Sequence, residues 1–282
     1  MITSAFKNAL LPLISYRQPT LPADIASAID VAAALKLRLV GLDVHILPPV
    51  AAGFGAYAMP ILGTTIDAED AKTKANAEAI AQDFLTLSQH RGVAADLRRV
   101  TSEAIDGPGL IAATARLFDL TILSVAPGSR AARELAEAVV FGSGRPCLLL
   151  PQKWVATPAL FDRPLVAWDA SRAATRALAD ALPMLQRAAD VNLIIVAPEQ
   201  SEAARSAPDV ERWLKDHGVC VTCARIDGAG DAATAIAEYA LGIRANLIVM
   251  GAFGHSRLRD FILGGVTRSV LAEPRLPVLF SH

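Results

Sequence analysis

The chain repeats one plan twice, and this repeat constrains its fold more than any other feature. The segment "PLISY" at 12–16 opens the first half, and "PLVAW" at 164–168 opens the second. Further along, "HRGVAADLRRV" matches "DHGVCVTCARI", "DLTILSV" matches "NLIVMGA", and "RPCLLLP" matches "LPVLFSH". Such self-similarity indicates two copies of one supersecondary plan. We expect a first domain at 1–151, a linker at 152–163 and a second domain at 164–282.

Each half alternates short apolar runs with stretches of helical periodicity. Apolar residues recur at three- and four-residue spacing in 69–89, 171–188 and 231–242, which is typical of amphipathic helices. The apolar runs between helices are short and nearly continuous, as in strands buried on both faces of a parallel sheet. The sequence therefore predicts an α/β fold: two repeated open parallel sheets of about five strands each, Rossmann-like, with helices on both faces.

The first half is longer than the second between its second strand and the next helix. The additional residues lie around 47–66, in "LPPVAAGFGAYAMPILGTT". Because this segment is rich in Gly, Pro and aromatic residues, we expect an ordered loop that covers part of the molecule or packs on the other half.

Composition excludes several classes of partner. The formal net charge is -1, from 27 basic and 28 acidic residues, so no electrostatic footprint for nucleic acid or anionic lipid is present. Pro12 interrupts the apolar run near the N-terminus, and no run reaches the roughly 20 residues that span a bilayer. We expect a cytoplasmic protein with neither nucleic acid nor membrane as a partner.

The three cysteines suit a reducing compartment and not a disulfide framework. Cys220 and Cys223 form a C-x-x-C within a predicted strand, where positions three apart point to opposite faces. We interpret them as buried or half-buried structural thiols and not as a redox or metal site.

Ligands of open parallel sheets bind beyond the carboxyl ends of the strands, where the winding reverses. In the second half the loops after Trp168, Val196 and Met250 meet there. Asp169 can accept hydrogen bonds from an adenine amino group or a ribose hydroxyl, and Ser171 is placed to cap the following helix. The alternative for Asp169 is a purely local role in the cap or the turn.

The strongest functional signal is "GAFGHSRLRDFILGGVT" at 251–267. Gly251 and Gly254 allow close approach of backbone to a ligand or a positive φ. After Gly264 a helix is predicted to run to about Glu273, and the amide groups at its start favour a phosphate. The spacing fits neither the Walker pattern, because no Lys follows the glycines, nor the Rossmann G-x-G-x-x-G.

This loop resembles the G-x-x-G-x9-G-[ST] motif of the universal stress protein family, and the resemblance extends over nearly the whole chain as a tandem two-domain member. The resemblance implies the adenine nucleotide alpha hydrolase-like fold. It also implies that the second half binds ATP, or AMP or ADP, with or without Mg²⁺. The nucleotide-binding positions that it implies are Ala167, Asp169, Val196, Met250, Gly251, Gly254, His255, Gly264, Gly265, Val266 and Thr267.

One departure from the motif concerns Gly265, which stands where nucleotide-binding members usually have Ser or Thr. The backbone donor is kept but a hydroxyl contact is lost, which weakens phosphate binding by about 1 kcal/mol. The first half departs further: Arg17 aligns with Asp169, Ser124 with Gly251 and Pro127 with Gly254. Its "FGSG" at 141–144 aligns with the end of a helix, where glycine is a usual cap. We expect a degenerate half that binds no nucleotide.

Members of this family pair domains through their last strands, which here are "RPCLLLP" and "LPVLFS". The resemblance therefore implies pairing within the chain, with a homodimer as the other arrangement. We assign no catalytic and no metal-ligating residue, since no carboxylate pair or Ser-His-Asp set follows from the spacing. His255 is an exposed loop residue or an acid-base group. Three functions stay open: a nucleotide-binding stress-response regulator, an interaction scaffold without nucleotide, and a slow ATP hydrolase.

Overall fold

The computed structural model describes residues 6–16, 18–47, 59–103, 107–157, 159–227, 231–252 and 265–282. The strands of the first half are β1 (Asn8–Ile14), β2 (Arg38–Leu47), β3 (Ala95–Glu103), β4 (Leu120–Val125) and β5 (Cys147–Pro151). Its helices are α1 (Pro22–Leu35), α2 (Met59–His90), α3 (Gly107–Ala115) and α4 (Arg130–Gly142).

The second half has the same alternation. Its strands are β6 (Pro164–Ala167), β7 (Val191–Val196), β8 (Val221–Ile226), β9 (Leu247–Gly251) and β10 (Val278–Ser281). Its helices are α5 (Arg172–Leu185), α6 (Glu202–Asp216), α7 (Ala232–Gly242) and α8 (Gly265–Ala272). Polar caps begin several helices: Ser129, Ser171, Ser201 and Asp231 each accept a hydrogen bond from the first turn of α4, α5, α6 and α7.

All ten strands belong to one sheet, in the order β3-β2-β1-β4-β5-β10-β9-β6-β7-β8. The strands within each half are parallel, and both halves have the same internal order. The halves meet where β5 runs antiparallel to β10, with Leu148 opposite Leu279. The α/β parallel-sheet prediction is confirmed, and the two five-stranded sheets are continuous with each other across this junction.

Two apolar clusters cover the two faces of the sheet. One contains side chains of α1, α2, α5 and α6, and the other contains side chains of α3, α4, α7 and α8. Successive residues of a strand join opposite clusters, as Leu10 and Leu11 of β1 do. Both clusters continue through both halves, so the halves share their cores.

Two expectations need correction. Residues 59–66 were expected within a loop, but α2 already begins at Met59; residues 48–58 of that segment lie outside the described residues. Cys220 was expected to be buried or half-buried, but it precedes β8 and is exposed, because it lies in the turn before an edge strand. Cys223 is half-buried, as expected.

Candidate functional site

In the second half, the strand register places the carboxyl ends of three strands side by side. Ala167 of β6 lies opposite Ile194 of β7 on one side and opposite Met250 of β9 on the other. Asp169 and Val196 follow two residues after Ala167 and Ile194, and Gly251 directly follows Met250, so these three residues lie near one another at the carboxyl edge. From β6 the chain continues through α5 to β7, and from β9 it continues through α8 to β10 on the opposite side. This reversal of winding is where open α/β sheets bind ligands.

Asp169 takes part in the turn between β6 and α5. Its Oδ1 accepts a hydrogen bond of 2.9 Å from the Ser171 amide, and the Ser171 hydroxyl accepts one of 3.0 Å from the Ala174 amide. The predicted cap at Ser171 is confirmed. Asp169 therefore has the local role in the turn that the alternative interpretation gave it. A carboxylate has two acceptor oxygens, so Asp169 can accept further hydrogen bonds through its second oxygen.

Gly251 allows a close approach to its backbone, but the group that approaches it is helix α5 and not a ligand. A Cβ built on Gly251 would lie 2.3 Å from the Ala174 nitrogen and 2.4 Å from the Ala173 carbonyl carbon. The φ of Gly251 lies outside the left-handed region, so positive φ is not the reason for glycine at this position. The first turn of α5 rests directly on the end of β9, and this contact fixes the geometry of the crevice.

The start of α8 is open. Gly265 is exposed, and no heavy atom of the described residues lies within 4 Å of a Cβ built on it. Val266 is half-buried and packs on the apolar cluster of that face, whereas Thr267 is 4% exposed. The backbone of Gly265 is therefore the accessible part of the predicted phosphate site. Gly254, His255 and Gly264 lie outside the described residues.

Arg172 is a candidate that the sequence interpretation missed. It is the first residue of α5, it is exposed, and the first turn of that helix contains no acidic residue. A cation at a helix N-terminus opposes the helix dipole, so its position is favourable only near an anion. The position of Arg172 at the start of α5, three residues after Asp169, was a usable sequence signal.

The corresponding edge of the first half is built differently. Ser124 is half-buried at the position aligned with Gly251, and α4 follows after a short turn, starting at Arg130. The Ser129 hydroxyl accepts from the Ala132 amide at 3.2 Å and donates to Gln18 Oε1 at 2.8 Å, which joins the loops after β1 and β4. Gly144 follows α4 with φ +64°, as expected for a helix cap, and Arg17 lies outside the described residues.

One buried carboxylate with a raised pKa, Asp43, lies in β2 of the first half. Burial raises the pKa of Asp43, and the Arg99 guanidinium, 3.0 Å away, partly offsets that rise. Arg99 also pairs with Glu78 of α2, so the cluster attaches α2 to the sheet. Among the described residues no group of three or more His, Cys, Asp or Glu side chains is arranged to hold a metal ion. Within the same part of the chain, no helix has the length and apolarity to cross a bilayer.

Comparison with solved structures shows the fold first. A universal stress protein of Archaeoglobus fulgidus superimposes with a TM-score of 0.74 at 20% identity, over 98% of both chains. A functionally unknown protein of Pseudomonas aeruginosa superimposes with a TM-score of 0.60 at 14% identity, over 99% of this chain and 93% of the other. At these identities the similarity shows the fold, a Rossmann-like α/β sheet spanning both halves.

The sequence comparisons then relate the second half to a family. Residues 161–282 match the model of the universal stress protein family. A universal stress protein of Synechocystis is 29% identical over 148 residues, which are 51% of this chain and 49% of that relative. The match thus spans about half the length of the curated relative. Through its second half the chain is similar to the universal stress protein family.

Proposed function

We propose that this protein is a stress-response regulator that binds one adenine nucleotide, ATP or its products ADP and AMP, at the carboxyl edge of its second half. The observation that carries the proposal is the convergence of Asp169, Val196 and Gly251 at the reversal of winding, beside the open start of α8. The proposal includes a tandem arrangement in the cytoplasm, with the first half binding no nucleotide.

The roles of the residues follow from their positions. A carboxylate oxygen of Asp169 accepts from the adenine amino group or the ribose, and the backbone of Val196 lies beside the base. The amide groups at 265–267 hold phosphate oxygens, since the first amides of a helix have no partner within it. Arg172 supplies the positive charge that the loop glycines lack. We retain Gly254, His255 and Gly264 in this site on the family motif alone.

Regulation, and not catalysis, is the output that this site supports best. Binding at the junction of α5, β9 and α8 ties together elements from both faces of the sheet, so occupancy stabilises one arrangement of them. Slow hydrolysis is the extension of this proposal. It requires phosphate release that disappears when Gly254 or Thr267 is replaced by a bulky residue.

One alternative function has specific support. Asp169 and Gly251 each have a structural role without any ligand, the first in the α5 turn and the second beneath Ala174. A scaffold that uses this fold for protein contacts and binds no nucleotide would keep both residues for these reasons.

Two measurements on the purified full chain separate these functions. The protein is denatured, and any released ATP, ADP or AMP is identified by chromatography. The melting temperature of nucleotide-free protein is then measured with ATP, GTP and adenosine. Ligand at a hundred times its Kd stabilises by about 2.7 kcal/mol. Stabilisation by ATP and not by GTP supports the regulator, and no released nucleotide together with no shift supports the scaffold.

A further inference from the structure

The junction of the two halves lies directly behind the proposed site. The helices that precede β5 and β10 are α4 and α8, and these pack against each other. Phe141 of α4 and Val266 of α8 contact the same apolar cluster. The helix that starts at Gly265 is therefore supported by a helix of the other half.

His282 makes one contact within the second half and one across this junction. Its Nδ1 lies 3.0 Å from the carbonyl oxygen of Ala252, and since a carbonyl only accepts, Nδ1 carries the proton and donates. Its ring lies edge-on to Phe141, with centroids 5.2 Å apart and planes at 85°. Edge-to-face contact is a favoured geometry for such rings.

Ala252 is thereby fixed at both of its backbone polar groups. Its amide donates to the Ser281 carbonyl at 2.8 Å, and its carbonyl accepts from His282. Ala252 is fully buried and directly follows Gly251, where β9 ends. These two hydrogen bonds set the direction in which the chain leaves β9 towards the nucleotide loop.

We propose that His282 is a positioning residue through which the first half, by way of Phe141, holds the exit of β9 in the geometry that the nucleotide site needs. The consequence for nucleotide affinity rests on the proposed function, whereas the effect on Ala252 does not. The first half then contributes to the site without touching the ligand.

The chain offers a matched control in His217. Its Nδ1 lies 2.7 Å from the Trp213 carbonyl, and its ring lies 4.1 Å from the Trp213 ring, but it follows α6, far from the exit of β9. His217→Ala removes the same kind of contact elsewhere in the second half.

The experiment measures amide hydrogen exchange at Gly251 and Ala252 in the nucleotide-free full chain. His282→Ala is expected to speed this exchange by about fivefold, the effect of one ordinary hydrogen bond, while His217→Ala leaves it unchanged. His282→Asn places an amide nitrogen where Nδ1 was and is expected to restore slow exchange. Phe141→Leu is expected to speed exchange in the wild-type chain but not in the His282→Asn chain, which lacks the ring contact.

The same variants are titrated with ATP. We expect His282→Ala to lower the affinity for ATP by about fivefold or more and His282→Asn to recover part of that loss. Equal amide exchange rates at Gly251 and Ala252 in His282→Ala and His217→Ala overturn the proposal. The proposal is also overturned if His282→Asn does not restore slow exchange. An equal effect of Phe141→Leu in both backgrounds overturns the coupling to the first half. If exchange responds as expected but the wild-type chain binds no ATP, the positioning of Ala252 stands and the nucleotide function fails.

Discussion

Gly251 and Ala174 are packed so closely that a single added carbon on Gly251 would lie 2.3 Å from the Ala174 nitrogen. The first turn of α5 thus rests on the end of β9 without an intervening side chain. In the first half Ser124 occupies the aligned position, and the turn before α1 is longer than the turn before α5. One residue difference therefore corresponds to a different arrangement of the helix over the strand.

We expect Gly251→Ala to destabilise the protein by about 1–3 kcal/mol, because the new methyl group meets backbone that cannot move aside as a flexible side chain would. Urea unfolding without nucleotide measures this loss. The control is Gly265→Ala, where space is open and replacing glycine in a helix stabilises by up to about 1 kcal/mol. Equal stability of Gly251→Ala and the wild-type chain would show that glycine is present at 251 for a ligand and not for α5.

Local signals in the sequence predicted much of this architecture. The strand and helix alternation, the Ser171 cap and the helix start near Gly264 all depend on residues close together in the chain, and the structure contains each of them. The contact between Gly251 and α5 could not be predicted, since it joins residues distant in sequence whose spacing depends on how the helix packs.

The corrected expectations have similar physical causes. The start of α2 at Met59 was missed because Pro and Gly within 60–63 are typical of loops, yet a proline near a helix start is compatible with its geometry. The exposure of Cys220 depends on β8 being an edge strand, which only the order of the sheet determines. The role of His282 required the position of Phe141 in the other half.

Asp24 gives a prediction for pH dependence. Its side chain is buried in α1, its Oδ1 accepts from the Lys153 amide at 2.7 Å, and burial is the main cause that raises its pKa above 3.8. The stability that a raised pKa contributes is complete below the unfolded pKa and is lost as pH rises through the folded pKa. Asp24→Asn keeps the acceptor and removes the charge, so its stability relative to wild type should increase as pH rises from about 4 to 7.

Urea unfolding at several pH values tests this expectation for Asp24. Asp24→Ala is the comparison, because it removes the acceptor and should destabilise by about 1–3 kcal/mol through the unpaired Lys153 amide. If the unfolding free energy of Asp24→Asn relative to wild type decreased as pH rises, the assigned direction of the pKa shift would be contradicted.

The thiols should react in a fixed order. Cys220 is exposed, whereas burial raises the pKa of Cys223 and, more strongly, that of the fully buried Cys147 in β5. Because the thiolate is the reactive form, a disulfide reagent at pH 8 should modify Cys220 first, Cys223 more slowly and Cys147 only after unfolding. Cys220→Ser should abolish the fast phase, and persistence of that phase would refute this order.

Gly265 allows the proposed phosphate site to be altered without disturbing the fold. Its Cβ position is open, and an acidic residue at a helix N-terminus stabilises the helix by about 0.3–1 kcal/mol. Gly265→Asp should therefore fold normally and repel phosphate. Gly265→Ser adds a hydroxyl donor and should raise the affinity for ATP by about fivefold. Ala232→Asp, at the first position of α7, is the control for added charge.

Calorimetric titration of nucleotide-free wild-type and Gly265→Asp protein with ATP tests the central claim most directly. The account predicts saturable binding of one ATP per chain to the wild type and to Ala232→Asp, with binding lost in Gly265→Asp although its unfolding free energy is maintained. Absence of binding heat in the wild type at millimolar ATP, or unchanged affinity in Gly265→Asp, would contradict it.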